Sequence, residues 1–124
     1  MMFIKWITIR VKDMSVSKKF YEDFLGLKVL RSFSPCAGRQ ITFLGMDSGG
    51  QIELICDEAA ESGTACEAVS IGISVADFEG MYQKAKEYHV PHSEPEILGK
   101  GTECFFLTDP DGIKLQIIRE EIAE

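Results

Sequence analysis

The chain has no apolar run near the ~20 residues that a membrane-spanning helix needs, and it does not open on the basic, apolar and small-residue succession of a secretory leader. Both absences predict a cytoplasmic chain with no membrane partner. Basic residues are in the minority, 13 Lys and Arg against 20 Asp and Glu, for a net charge of -7 spread along the sequence. Without the clustered Lys and Arg that phosphates require, nucleic acid is excluded as a partner. The acidic balance is compatible with a cationic or neutral ligand, and solubility alone explains it equally well. Cys36, Cys56, Cys66 and Cys104 form no Cys-x-x-Cys pair, which excludes a zinc ribbon and a redox dithiol. They are expected to be small buried or half-exposed thiols. Histidine is scarce: His89 and His92 are the only two. Both fall where a second helix should end, and they are expected to be solvated.

What is present is a core and a repeat. At 124 residues and 45% hydrophobic, the chain can bury roughly two-thirds of its unfolded surface in one domain. Its most informative stretch is Thr108 to Ile118, where Asp109-Pro110-Asp111-Gly112 supplies a turn with a preset φ, a local acceptor and a residue for positive φ. Ile113, Leu115 and Ile117 then alternate with Lys114, Gln116 and Ile118, a strand with one face on a core and a more polar face opposite. The same grammar runs 63 residues earlier: Phe43 answers Phe106, Asp47 answers Pro110, Gly49 answers Gly112 and Glu53 answers Gln116. The chain is a duplicated unit.

Each copy reads β-α-β-β-β. In the first, Phe3 to Val11 is a strand with Ile7, Ile9 and Val11 toward the core and Trp6, Thr8 and Arg10 on the other face. Asp13 or Ser15 caps a helix through about Leu25, closed by Gly26, with a stripe of Phe20, Phe24 and Leu25 and with Val16 and Tyr21 at its margins. Lys28 to Phe33 is a strand, Ser34 to Gly38 a loop, and Arg39 to Leu44 with Gln51 to Cys56 a hairpin. The acidic, aperiodic stretch from Asp57 to Glu67 reads as a linker. In the second copy, Val69 to Val75 is a strand with Ser70, Gly72 and Ser74 on one face. Asp77 caps a helix through about Tyr88 whose stripe is Phe78, Met81, Tyr82 and Ala85. Glu94 to Leu98, Cys104 to Thr108 and Ile113 to Arg119 are the remaining strands. The boundaries expected are module 1 over 1–58, a linker over 59–66 and module 2 over 67–124.

The pattern resembles a known family. Val11-Lys12-Asp13 after the first strand, Phe20-Tyr21-Glu22-Asp23-Phe24-Leu25-Gly26 at the helix end and Asp109-Pro110-Asp111-Gly112 in the closing hairpin are similar to the vicinal oxygen chelate superfamily. That family groups glyoxalase I, extradiol dioxygenases, methylmalonyl-CoA epimerase, fosfomycin-resistance enzymes and bleomycin-resistance proteins. The resemblance implies an α+β fold of two tandem βαβββ modules, mixed sheets curling around a shared cleft, and a homodimer. In metal-dependent members four residues hold a divalent ion, and those positions fall on Trp6, Glu53, Ser70 and Gln116. The set is poor for an ion: indole has a donor N–H and no free lone pair, Ser70 is a weak neutral ligand, and Gln116 offers one oxygen beside the Glu53 carboxylate. No metal or other cofactor is therefore expected, and a divalent metal is the alternative.

The cleft expected from the resemblance is lined by Trp6, Thr8, Arg10, Gln51, Glu53, Ser70, Ser74, Lys114 and Gln116. Gly72, Ile55 and Ile118 share their faces, and either Arg39, Ile41 and Phe43 or Gln40, Thr42 and Leu44 add a wall. With Trp6 as platform and Glu53 as charge, this suits a small planar or cationic molecule. The bland alternative is that Trp6 plugs a dead site and Glu53 pairs with Arg10 or Lys114. Three functions follow: a metal-free sequestering protein of the bleomycin-resistance kind, a metal-dependent lyase, isomerase or dioxygenase like glyoxalase I, and a metal-free enzyme with Glu53 as catalytic general base. The first is the reading adopted.

Overall fold

The computed structural model describes residues 1–59 and 66–121. Two compact units divide the chain, Met1–Thr64 and Ala65–Glu124, and each is a four-stranded mixed sheet with one helix between its first and second strands. In the first unit, β1 (Trp6–Arg10), β2 (Lys28–Cys36), β3 (Arg39–Gly45) and β4 (Gln51–Asp57) lie in the order β1-β4-β3-β2. In the second, β5 (Ser70–Val75), β6 (Glu96–Leu98), β7 (Thr102–Thr108) and β8 (Lys114–Arg119) repeat it as β5-β8-β7-β6. The duplication extends to register. Trp6 pairs Gln51 and Thr8 pairs Glu53 in the parallel β1·β4 ladder, and Ser70 pairs Lys114 and Gly72 pairs Gln116 in β5·β8.

One face of each sheet carries the helix and most of the core. In the first unit Ile9, Val11, Leu44, Ile52 and Leu54 are buried there, with Met14, Ser17, Tyr21 and Phe24 from the helix. That helix departs from expectation. Asp13 caps it as expected, accepting from the Ser15 and Val16 amides, but α1 (Met14–Lys19) passes into a π-helical turn over Phe20–Phe24. The Leu25 amide donates to the Phe20 carbonyl, and Gly26 closes the turn at φ 81. The inward stripe runs over Met14, Ser17, Tyr21 and Phe24, leaving Val16 exposed and Phe20 and Leu25 half-buried.

In the second unit α2 (Phe78–Glu87) is capped by the Asp77 carboxylate on the Gly80 amide. Phe78 and Ala85 are buried under it, against Phe105, Leu107, Leu115 and Ile117. The Phe105 ring meets Phe78 edge-on at 5.4 Å and Tyr82 at 5.2 Å. The closing turn forms as its residues dictate. The Asp109 carboxylate accepts from the Asp111 and Ile113 amides at 2.9 and 2.8 Å, and Gly112 takes φ 83.

Four further expectations are corrected. Ser34 to Gly38 is not all loop: β2 runs to Cys36, because a bulge over Ser34 and Pro35 lets the edge strand keep a residue without an amide donor. Asp57 belongs to β4 rather than the linker, held by Arg39 and Arg10, and residues 60–65 of the linker lie outside those described. Cys36 and Cys66 are exposed, whereas Cys56 is half-buried and Cys104 buried. His92 is half-buried rather than free in solvent. Its Nδ1 lies 2.7 Å from the Val90 carbonyl, its ring meets Tyr82 edge-on at 5.4 Å, and it bridges to Leu107. Only His89, at φ 55 just past the α2 cap, stands exposed. Among the described residues no helix is long and apolar enough to cross a membrane.

Candidate functional site

The helix-free face of each sheet collects the residues in question, and strand register decides which. On the first sheet one row runs straight across four strands: Thr8 opposite Glu53, Glu53 opposite Phe43, and Phe43 opposite Arg31. Trp6 and Gln51 form the adjacent row, and Arg10, Ile55, Ile41 and Phe33 the next. The wall on β3 is therefore Arg39, Ile41 and Phe43; Thr42 and Leu44 point to the helix side, where Thr42 shares a 2.9 Å hydrogen bond with Ser32.

Within this face the Thr8 hydroxyl lies 2.6 Å from Glu53 Oε1 and donates to it, and Arg10 is not paired with Glu53 among the contacts described. Arg10 instead reaches Asp57 at 3.4 Å, and Arg39 reaches the same carboxylate at 2.6 Å. The Arg39 hydrogen bond, reinforced by the charges of Arg39 and Arg10, holds the Asp57 carboxyl below its usual range against a smaller opposing effect of burial. A depressed carboxyl pKa stabilises the folded state above the unfolded value, about 4, and that stability is lost as pH falls through the folded value. Urea midpoints should therefore drop on acidification to pH 3, and Asp57→Asn should show a smaller drop. Equal drops in both proteins would count against this assignment.

Trp6 is 38% exposed and sets its indole edge-on to Phe43 at 5.1 Å. Phe43 itself is buried at 2%, although it lies on the helix-free face. Its other cover is Arg31, whose guanidinium sits 4.2 Å from the Phe43 ring centre and 5.5 Å from that of Phe33. Arg31 and Phe33 were not legible as site residues, because a bulge at Leu30 shifts the register. Val29 pairs Leu44, yet it is Arg31 that pairs Phe43. Simple alternation would put Leu30 opposite that ring.

The second sheet carries Ser70, Gly72 and Ser74 on β5, Lys114, Gln116 and Ile118 on β8, and Cys104 and Phe106 on β7. Its chemistry differs at one step. Where Thr8 supplies a hydroxyl to Glu53, the equivalent residue here is Gly72, and a β-carbon added there would lie 3.3 Å from Ile118 Cδ1. Gln116 turns instead to β7 and donates from Nε2 to the Cys104 sulfur at 3.3 Å. Lys114 lies 5.5 Å from the Phe106 ring. Each unit thus brings its own share of the expected residues onto one face: Trp6, Thr8, Arg10, Gln51 and Glu53 in the first, Ser70, Ser74, Lys114 and Gln116 in the second.

Comparison with known proteins places this geometry. The model of the Glyoxalase/Bleomycin resistance protein/Dioxygenase superfamily matches residues 3–117. A lactoylglutathione lyase of Haemophilus influenzae is 32% identical over 120 residues, 91% of this chain and 89% of its own. Among solved structures, the trypanothione-dependent glyoxalase I of Leishmania major superposes with a TM-score of 0.82 at 30% identity, covering 97% of this chain and 88% of that one. TnmS3, an antibiotic-binding protein of a Streptomyces species, shares the fold with a TM-score of 0.74 at 14% identity, covering 98% of each chain.

Proposed function

This chain belongs to the glyoxalase/bleomycin resistance protein/dioxygenase superfamily, and from that premise we propose that it binds a small planar or cationic molecule in its cleft without a metal ion, sequestering the molecule rather than turning it over. The fold does not decide the matter, since it serves both a glyoxalase and an antibiotic-binding protein. The observation that carries the reading is the donor set. At the four family ligand positions stand an indole, a hydroxyl, an amide whose NH₂ is turned to a thiol, and one carboxylate bonded to Thr8. Trp6 has no lone pair to give, and even loss of groups that merely orient ligands commonly costs 10–100-fold in metal affinity. These residues do not fit a divalent ion.

In this reading Trp6 is the stacking platform, Glu53 receives a positive or hydrogen-bonding group, and Ser70, Ser74, Gln51, Lys114 and Gln116 offer polar contacts. The protein acts in the cytoplasm as a homodimer. Support for the dimer is the long edge strand β2, nine residues with Leu30 and Phe33 each 41% exposed, a kind of edge that proteins tend to cover. A monomer mass by light scattering at micromolar concentration would remove that part.

The second reading, a metal-dependent lyase, is favoured by the identity to lactoylglutathione lyase. Metal analysis separates the two. Protein purified without chelator should carry well under one equivalent of Ni, Zn, Fe, Mn or Mg, and chelator should leave its melting temperature unchanged. An ion held at 100-fold excess over its dissociation constant would contribute about 2.7 kcal/mol. A fall of several degrees on chelation would hand the site to the lyase.

A further inference from the structure

Lys5, just before β1, lies 5.4 Å from the Trp6 ring centre; among the charged groups that the strands themselves carry on the helix-free face of the first sheet, one stands apart. Arg10 and Arg39 share the Asp57 carboxylate, and Glu53 takes the Thr8 hydroxyl. Arg31 has no carboxylate partner among the described residues and lies instead on the rings of Phe43 and Phe33. We propose that Arg31 determines ligand specificity by receiving an oxyanion, a carboxylate, of a planar aromatic ligand seated on Trp6. This deepens the binding reading given above and rests on it.

Three observations carry the assignment. The first is the bulge at Leu30, the irregularity that brings Arg31 opposite Phe43. Bulges persist in sheets where they re-aim a side chain, and here the side chain re-aimed is a cation. The second is preorganisation. The guanidinium carbon is held 4.2 Å from the Phe43 ring centre, so the aromatic takes part of the group's contact surface and N–H donors remain for a bidentate carboxylate. The third is the neighbourhood. Trp6 and Arg31 both pack on Phe43, with Trp6 38% and Phe33 41% exposed, so apolar surface for a ring adjoins the cation. In a chain of net charge -7, the overall field does not attract anions, so recognition of one requires a fixed local cation of this kind.

The competing role for Arg31 is to shield Phe43 with its aliphatic stem, and Arg31→Met separates the two because it keeps the cover and removes the charge. Binding of 2-naphthoate and 2-naphthalenemethanol is measured by calorimetry and by emission of the single Trp, with thermal unfolding as control. The wild type should prefer the acid by roughly tenfold or more. Arg31→Met should lose that preference while still binding the alcohol, and Arg31→Lys should keep part of it. Equal affinity for acid and alcohol in the wild type, or a preference that survives Arg31→Met, overturns the inference and leaves the planar-ligand reading standing. Binding of neither probe removes that reading and the inference with it. If Arg31→Met does not fold, the wild-type ratio and its fall with added salt decide.

Discussion

Trp6→Ala should weaken binding of a planar ligand by roughly 2–4 kcal/mol, the scale of an aromatic hot spot, and should abolish the saturable change in emission that the wild type shows on titration. Trp6 is the only tryptophan in the chain, so the residue under test is also the reporter, and the variant has to be titrated by calorimetry. The effect is large because the indole supplies the stacking surface and also walls off Phe43, which it meets edge-on while Phe43 is 2% exposed. A plug behaves in the opposite way. Were Trp6 only filling space, its truncation would cost stability and open a void that admits ligands the wild type refuses. Full burial of such a side chain would make that cost ~3–5 kcal/mol; at 38% exposure the loss should fall below this range. New ligand binding in Trp6→Ala, with none in the wild type, defeats the sequestration reading. Glu53→Gln tests charge separately: a cationic ligand should lose roughly 1–3 kcal/mol where it meets the carboxylate out of water, and a neutral one should lose almost nothing.

The fold was legible because its signals are local and were written twice. Asp109-Pro110-Asp111-Gly112 determines its own turn through the Asp109 carboxylate, and Asp13 and Asp77 cap their helices by the same short-range chemistry. Period-two alternation placed Ile9 and Val11, and later Leu115 and Ile117, on buried faces. The buried stripe of the first helix, Met14, Ser17, Tyr21 and Phe24, keeps the i, i+3, i+7, i+10 spacing of an ordinary helix; it was missed because apolarity drew the choice to Phe20 and Leu25 in place of Ser17. Two of the failures share a cause, a residue inserted into the edge strand β2. The bulge at Leu30 hid Arg31, and the one at Ser34 and Pro35 disguised strand as loop. His92 looked solvated because nothing local announces that Phe105 and Tyr82 will take its ring. The Thr8 hydroxyl across the ladder from Glu53 was legible as a neighbour on the same face, but its hydrogen bond to that carboxylate was not.

Restoring the missing donors should create a metal site. The variant Trp6→His, Ser70→His, Gln116→Glu, with the native Glu53, carries two imidazoles and two carboxylates at the family ligand positions, a set suited to zinc or nickel. At a thousandfold excess of ion over its dissociation constant, stabilisation should reach about 4.1 kcal/mol. For a chain of this size that corresponds to a rise in melting temperature of roughly 15 °C, reversed by chelator. No single substitution should do this, because Glu53 and one imidazole leave the ion mostly to water. The local surroundings place different demands on the three changes. Ser70 is exposed and opposite Lys114, where an imidazole meets no core. Gln116→Glu gives up the contact to the buried Cys104 sulfur, and Trp6→His uncovers one edge of Phe43, so the metal-free variant should melt below the wild type before the ion raises it. A folded triple variant that gains no stability from zinc or nickel would mean that the four positions do not converge, and the assigned cleft would fall with them. A wild-type protein that gains as much as the variant would instead show that Glu53, Gln116 and Ser70 suffice, and that the lyase reading is the right one.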